Sequence, residues 1–265
     1  MIIAMRNSYW LLIALLMFGL QACLRPVDGC INPRAKNFDP EADRNTTCDY
    51  YDIYFDLSHL LKDTIPMTDS TLILDMDSLG FYVDHLCFFL HKTHLTRVNE
   101  TSPSISISEI TYQENGNTLY EEDNVAIFSF LQSSTQACDW TNLGDFNTLD
   151  VLIGLPADIQ TTEFLGLDTD HEFSTSSPLQ GVNGLISASI QLIRSDYSDT
   201  IQFQSDQYIP YSTSINRSVV DGSDLRLSCS LTYESLLSNI SIMNDDSTMV
   251  GEKLLQNVQQ GLFIE

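Results

Sequence analysis

Leu86-Cys87-Phe88-Phe89-Leu90-His91-Lys92-Thr93-His94-Leu95 opens on five apolar residues in a row, and the reading of that run decides the fold. A short apolar run with no polar alternation reads as a β-strand covered on both faces. Its neighbours read as strands too. Ile53-Tyr54-Phe55-Asp56-Leu57 carries aromatic and branched residues suited to a pleated surface, and residues 71–74 and 81–83 are shorter runs of the same kind. Residues 104–110 alternate strictly, as a half-buried strand does. Asn115-Gly116 lies between Ile110-Thr111-Tyr112 and Thr118-Leu119-Tyr120, a strong hairpin signal. Residues 149–154, 186–193, 200–203, 208–215 and 224–231 extend the pattern to the end of the chain. Helix signals are few: residues 161–165 and 233–237 allow about two turns each. Residues 252–262 place Leu254, Leu255, Val258 and Leu262 on one face. The pattern predicts an all-β chain, an antiparallel β-sandwich with a few short helices.

The amino terminus reads as an address. Arg6 precedes an apolar run over residues 10–20, too short to span a bilayer. The run ends in Leu20-Gln21-Ala22-Cys23, which resembles a bacterial lipobox. On that reading residues 1–22 are a lipoprotein signal peptide and Cys23 is the lipidation site. The chain is then extracytoplasmic and held to the membrane by lipid. Leu24 stands where an Asp would retain it at the inner membrane, so the outer membrane is expected, on its periplasmic or surface face. An ordinary signal peptide beside a cysteine is the alternative.

Residues 23–49 read as a Cys-bounded spacer. Cys30 and Cys48 are close enough in sequence for a local disulfide in an oxidising compartment. Pro33 and Pro40 follow Asn and Asp and start turns, and a segment this short cannot bury a core of its own. The stretch from Gly29 through Asn32-Pro33, Ala35, Asn37-Phe38 and Pro40 to Cys48 resembles a mini-repeat common in exported proteins of the Bacteroidota. Oxygens of Asn32, Asp39, Glu41 and Asp43 are candidate calcium ligands; a plain stapled spacer is the other reading. Cys87, Cys138 and Cys229 are left over, at most one further pair and one free thiol.

The 265-residue chain carries 12 Lys and Arg against 36 Asp and Glu, a formal charge of −24. Such a charge repels nucleic acid and excludes it as a partner. With 43% hydrophobic residues the chain is globular. The spacer is followed by one β-sandwich domain over residues 50–265.

The decamer quoted first resembles the Leu-x-Tyr-Tyr-x-Ser-Asn-x-x-Leu signature of MbnP-like proteins, extracytoplasmic β proteins of which some bind copper. Similar landmarks follow in order. They are a strand ending Ile153-Gly154-Leu155-Pro156, the segment Gly166-Leu167-Asp168-Thr169-Asp170-His171-Glu172-Phe173, and a terminal Asn257 to Phe263. The resemblance implies a sandwich fold and raises copper as a cofactor. Two departures weigh against the copper chemistry. Residues 185–192 lack the family's Trp-x-Trp aromatics, and Ile201-Gln202-Phe203-Gln204 lacks its histidine. Trp140, the tryptophan outside the signal, is expected in a loop.

His85, His91 and His94 are the clustered nitrogen donors, and Asp168, Asp170 and His171 form a mixed oxygen and nitrogen loop. These six are the candidate metal ligands, with packing histidines and a hydrated acidic loop as the alternatives. On a flat strand His91 and His94 diverge, being three apart; a turn at Lys92-Thr93 would change that. Glu121-Glu122-Asp123 and Asp245-Asp246 are acidic runs expected on turns. No Gly-x-Ser-x-Gly elbow, phosphate-binding glycine loop or His-Glu-x-x-His helix occurs. The sequence therefore reads as a non-enzymatic cell-envelope lipoprotein that binds a metal, a small ligand or a partner protein. The runner-up is a copper-binding, metal-storage or redox protein. Copper and calcium are the candidate ions.

Overall fold

The computed structural model describes residues 26–62, 64–100, 108–114, 117–140, 144–196, 199–219 and 223–265. Cys23 and the signal expected before it, and Asn115-Gly116, where a hairpin turn is expected, lie outside the described residues, as does most of the run 104–110. The chain divides into two compact units that meet between Tyr50 and Tyr51. No helix among the described residues is long and apolar enough to cross a membrane.

In the first unit Asp28–Gly29 pairs in parallel with Arg44–Asn45, and Cys30 is bonded to Cys48. Closing a loop of this size removes roughly 3 kcal/mol of unfolded-state entropy. Its polar side chains are spent on its own backbone. Asn32 accepts from Arg34 N–H, Asp39 from Glu41 N–H, Asp43 from Val27 N–H and Asn45 from Ile31 N–H. These are the bonds short polar side chains make in turns. Three of the four candidate calcium ligands are thus already engaged, and Glu41 is exposed.

The second unit contains strands β1 (Tyr51–Lys62), β2 (Leu72–Leu74), β3 (Gly80–Arg97), β4 (Glu109–Glu114), β5 (Asn117–Glu122), β6 (Ala126–Ser129) and β7 (Ser134–Trp140). Then come β8 (Gly144–Gly154), helix α1 (Ala157–Gln160), β9 (Phe164–Leu165), β10 (Ala188–Arg194), β11 (Thr200–Ser205) and β12 (Tyr208–Val219). Strand β13 (Leu225–Thr232), helix α2 (Ser247–Gly261) and β14 (Leu262–Ile264) complete it. One sheet has the order β7-β1-β13-β14 and the facing sheet β11-β10-β3-β8-β12, with β2 and β6 also paired to β3. A smaller sheet, β9-β4-β5, accompanies them. Antiparallel pairing dominates, as expected, but β1 and β13 run parallel.

Between the two large sheets lies an apolar core that includes Phe55, Phe88, Leu90, Phe128, Trp140, Phe146, Leu149 and Leu227. Trp140 is therefore not a loop residue; it ends β7, buried against the Phe146 ring at 5.1 Å. Helix α2 is longer than the sequence suggests because Asp246 caps it, accepting from Thr248 N–H at 2.9 Å. It closes the core with Val250, Leu254, Leu255 and Val258. The other two helix expectations are overturned: residues 161–165 are a turn and a two-residue strand, and residues 233–237 a run of turns. Both are too short to nucleate a helix without an extended apolar face to hold it.

Strand β3 merges the runs 81–83 and 86–95 into 18 residues, which bulges make possible. Ile190 and Leu192, two apart on β10, pair with Leu86 and Val83, three apart on β3. Leu149 and Ile153, four apart on β8, pair with Leu95 and Leu90, five apart. Each mismatch is one extra residue on β3, and each reverses which side chains face inward. Lys92, at φ 54°, sits in the second bulge. Phe81, Val83, Leu86, Phe88, Leu90 and Leu95 thus join the sandwich core, while Cys87, Phe89 and His91 face outward. That outer face is covered in turn. Cys87 and Phe89 pack with Ile110, Val125, Leu155, Ile159, Phe173 and Leu179 into a second core. The apolar run is buried on both sides, as its composition predicts.

Candidate functional site

Carboxylates gather where the edge strand β7 approaches the loop of residues 168–172. In the β7–β1 ladder Gln136 and Cys138 pair with adjacent residues, so Ala137 is an extra residue. The next pairing sets Asp139 directly opposite Asp52. Like charges across a ladder repel, and the local bonds soften that repulsion. Gln136 Nε2 donates to Asp52 Oδ1 at 2.9 Å and to Asp139 Oδ1 at 3.1 Å, and Ser108 Oγ donates to Asp139 Oδ2 at 3.1 Å. Burial first, and then a hydrogen bond with Asp52, push the Asp139 carboxyl up to about 6 against the pull of Ser108. The charges of Asp52 and Asp123 act in the same direction.

Asp123, Asp139, Asp168, Asp170, His171 and Glu172 line one open cleft of about 400 Å³. Among its described lining residues there is no Lys or Arg. His171 is the one nitrogen base. Its Nε2 lies 3.2 Å from Asp123 Oδ1, and its Nδ1 accepts from Phe173 N–H at 3.0 Å. Burial disfavours its charge, but Asp123, Glu172 and Asp168 outweigh burial and hold its pKa above the ordinary value. Glu172 is raised, first by burial and then by Asp123 and Asp170, with a main-chain hydrogen bond and His171 opposing. The loop itself is a chain of turns: His171 N–H donates to Asp168 O and Ser174 N–H to His171 O.

The six candidate metal ligands do not form one centre. Asp168, Asp170 and His171 share the acidic cleft, where both nitrogens of His171 are engaged. His85 lines a neighbouring hollow of about 350 Å³ with Cys87 and the far side of the same loop. His91 is fully buried in the second core, and His94 lies 3.2 Å from Glu122 Oε2. No three His, Cys, Asp or Glu side chains among the described residues stand at spacing that would hold a metal ion. The expected divergence of His91 and His94 is corrected by the bulge: they oppose Leu152 and Asp150, two apart on β8, and so share a face.

Sequence reasoning missed Asp52 and Asp139. Their pairing depends on register between strands more than 80 residues apart, and only the acidity of the chain as a whole pointed that way. Cys87, Cys138 and Cys229, which allowed at most one further pair, are all free and buried. Burial raises all three thiols, so none stands ready as a thiolate nucleophile.

No family model matches the chain, and no curated protein matches it. Among solved structures it is similar to MbnP from Methylosinus trichosporium, at 9% sequence identity over 75% of this chain and 81% of that chain, with a TM-score of 0.42. At that distance neither a ligand nor a residue role passes from one protein to the other.

Proposed function

We propose that this chain is a non-enzymatic lipoprotein of the cell envelope, tethered through Cys23, which binds a positively charged ligand in the acidic cleft. The spacer of residues 24–49 carries the sandwich away from the membrane surface. The observation behind the ligand class is the cleft lined by Asp123, Asp139, Asp168, Asp170 and Glu172 with His171 as its one base. Asp139 and Glu172 have raised pKa values because their negative charges are crowded and partly buried. A bound cation relieves that crowding and displaces protons, so affinity rises with pH. With no preformed coordination shell among the described residues, a hydrated divalent ion or an organic amine fits better than a stripped ion.

Calorimetric titration of the purified full chain with calcium chloride and, separately, with spermidine tests this reading. The expected result is saturable binding, tighter at pH 7.5 than at pH 5, and at least about tenfold weaker in D139N/D170N, roughly 1.4 kcal/mol. Absence of binding by both probes at both pH values would overturn it. The tether is tested by labelling cells with a radioactive fatty acid: label is expected on the wild type and absent from C23S.

A further inference from the structure

Phe164, Leu167, Phe173 and Leu185 come from separate stretches of the outer cover and line one open hollow of about 370 Å³. Its frame is fixed by the residues around it. Gln160 is buried in its wall, with Nε2 donating to Leu155 O at 2.7 Å and to Asp206 O at 2.6 Å. The hairpin that pairs Gln180 with Leu185 and Gly181 with Gly184 packs against that residue. A Cβ on Gly184 would stand 2.3 Å from Gln160 O, and its φ of +132° also asks for glycine. The Phe164 and Phe173 rings stack at 4.8 Å, and Phe173 meets Phe89 of the second core at 5.6 Å. The hollow is thus tied to the second core, and its volume falls at the lower end of the range for small-molecule pockets.

The chemistry of the lining selects a class of ligand. Three of its hydroxyls are spent on the backbone: Thr161 Oγ1 donates to Ala157 O, Thr162 Oγ1 to Asp158 O and Ser174 Oγ to Thr169 O. A sugar ring needs partners for several hydroxyls, and these groups offer it few. The charged residues among the described lining are Glu163 and Asp168, both acids and both exposed. Phe164 and Leu167 stay half-buried beside them. Apolar surface and negative charge are therefore presented together. Covering the apolar wall is favourable, and the carboxylates attract a cation and repel an anion.

We propose that this hollow is a binding site for an arylalkylamine, an aromatic body carrying one ammonium group on a short chain. The aromatic body packs against Phe164, Leu167 and Leu185, and the ammonium pairs with Glu163 or Asp168. The apolar wall supplies most of the affinity, because ion pairs at exposed carboxylates are worth little. The carboxylates supply the choice of charge. The site goes beyond the acidic cleft and does not depend on a cation binding there: among the described lining residues, Asp168 alone is common to both.

Calorimetric titration of the purified full chain with tryptamine tests the proposal. Indole-3-acetate is the probe of opposite charge, and spermidine the probe without an aromatic body. Tryptamine is expected to bind saturably, and indole-3-acetate at least about tenfold more weakly. F164A should weaken tryptamine binding about tenfold, and E163Q roughly threefold, while D139N/D170N leaves it unchanged. On the wild type, carbon-13 NMR is expected to show tryptamine moving the methyl signals of Leu167 and Leu185 while those of Leu149 in the sandwich core stay in place. This readout does not depend on any variant folding. Tryptamine binding without spermidine binding would refute the cleft reading and support this one. Absence of saturable tryptamine binding, equal affinity for indole-3-acetate, or unmoved Leu167 and Leu185 signals would overturn the proposal. So would loss of tryptamine binding in D139N/D170N with full binding in F164A, which would put the amine in the acidic cleft.

Discussion

The two faces of β3 are built to different standards. The inner face sends Phe81, Val83, Leu86, Phe88 and Leu90 into an interior where Phe88 stacks on Phe128 at 4.6 Å. The outer face buries Phe89 just as completely, but beside it lie a thiol and an imidazole with two unmet nitrogens. Burial alone therefore does not identify a residue that only holds the fold together. The inner face has what a sandwich needs, whereas the outer face carries polar groups that packing cannot explain.

The largest expected effect tests the inner face. Phe88→Ala should cost about 3–5 kcal/mol in urea unfolding, the usual range for a buried phenylalanine, and Phe173→Ala over the outer face should cost less. Equal losses would erase the contrast. Next, H91L should stabilise the protein by about 1–3 kcal/mol in the same assay, since it removes two unsatisfied atoms while keeping an apolar body. A destabilised H91L would mean that the imidazole is satisfied after all.

The acidic cleft sharpens the comparison through pH. The Asp139 pKa is raised in the folded state to about 6, so its stabilising contribution is present below the unfolded value and is lost as pH rises through about 6. Thermal melts from pH 4 to pH 7.5 should therefore show D139N gaining on the wild type as pH rises. His171, also raised, contributes stability below its ordinary value that is lost as pH climbs through its folded pKa, so H171Q should lose its disadvantage above neutrality. The smallest effect belongs to the exposed Arg226–Asp56 pair, 2.7 Å apart. R226Q should change stability by no more than about 1 kcal/mol, and still less in high salt.

Much of the sandwich was legible because its strands carry local signals. Ile53-Tyr54-Phe55-Asp56-Leu57 and the alternation of Leu225, Leu227, Cys229 and Leu231 each announce a strand with one buried face. That the two lie side by side in parallel has no local signature, because the pairing joins residues about 170 positions apart. The candidate sites were harder still. His91 and His94 could be named from the sequence, but their shared face depends on a bulge whose only local mark is the positive φ of Lys92. A lysine does not advertise that conformation as a glycine would. Asp52 and Asp139 looked like ordinary surface acids until the ladder set them opposite each other.

The paired bulges of β3 have a consequence for how this protein can change. They act like a frameshift and its compensating frameshift: odd-numbered residues face inward before the first, even-numbered residues between the two, and odd-numbered residues after the second. A one-residue deletion at Lys92 would remove the extra residue and leave a regular strand, with His94 still facing outward and Leu95 inward. A deletion in the middle of the window, absorbed by the loss of the second bulge, would instead keep both flanks and evert only the residues between the deletion and Lys92. A lineage could thus lose a residue at either bulge without disturbing the sandwich, and could exchange what lies under the outer cover by trading a residue of the window for a bulge.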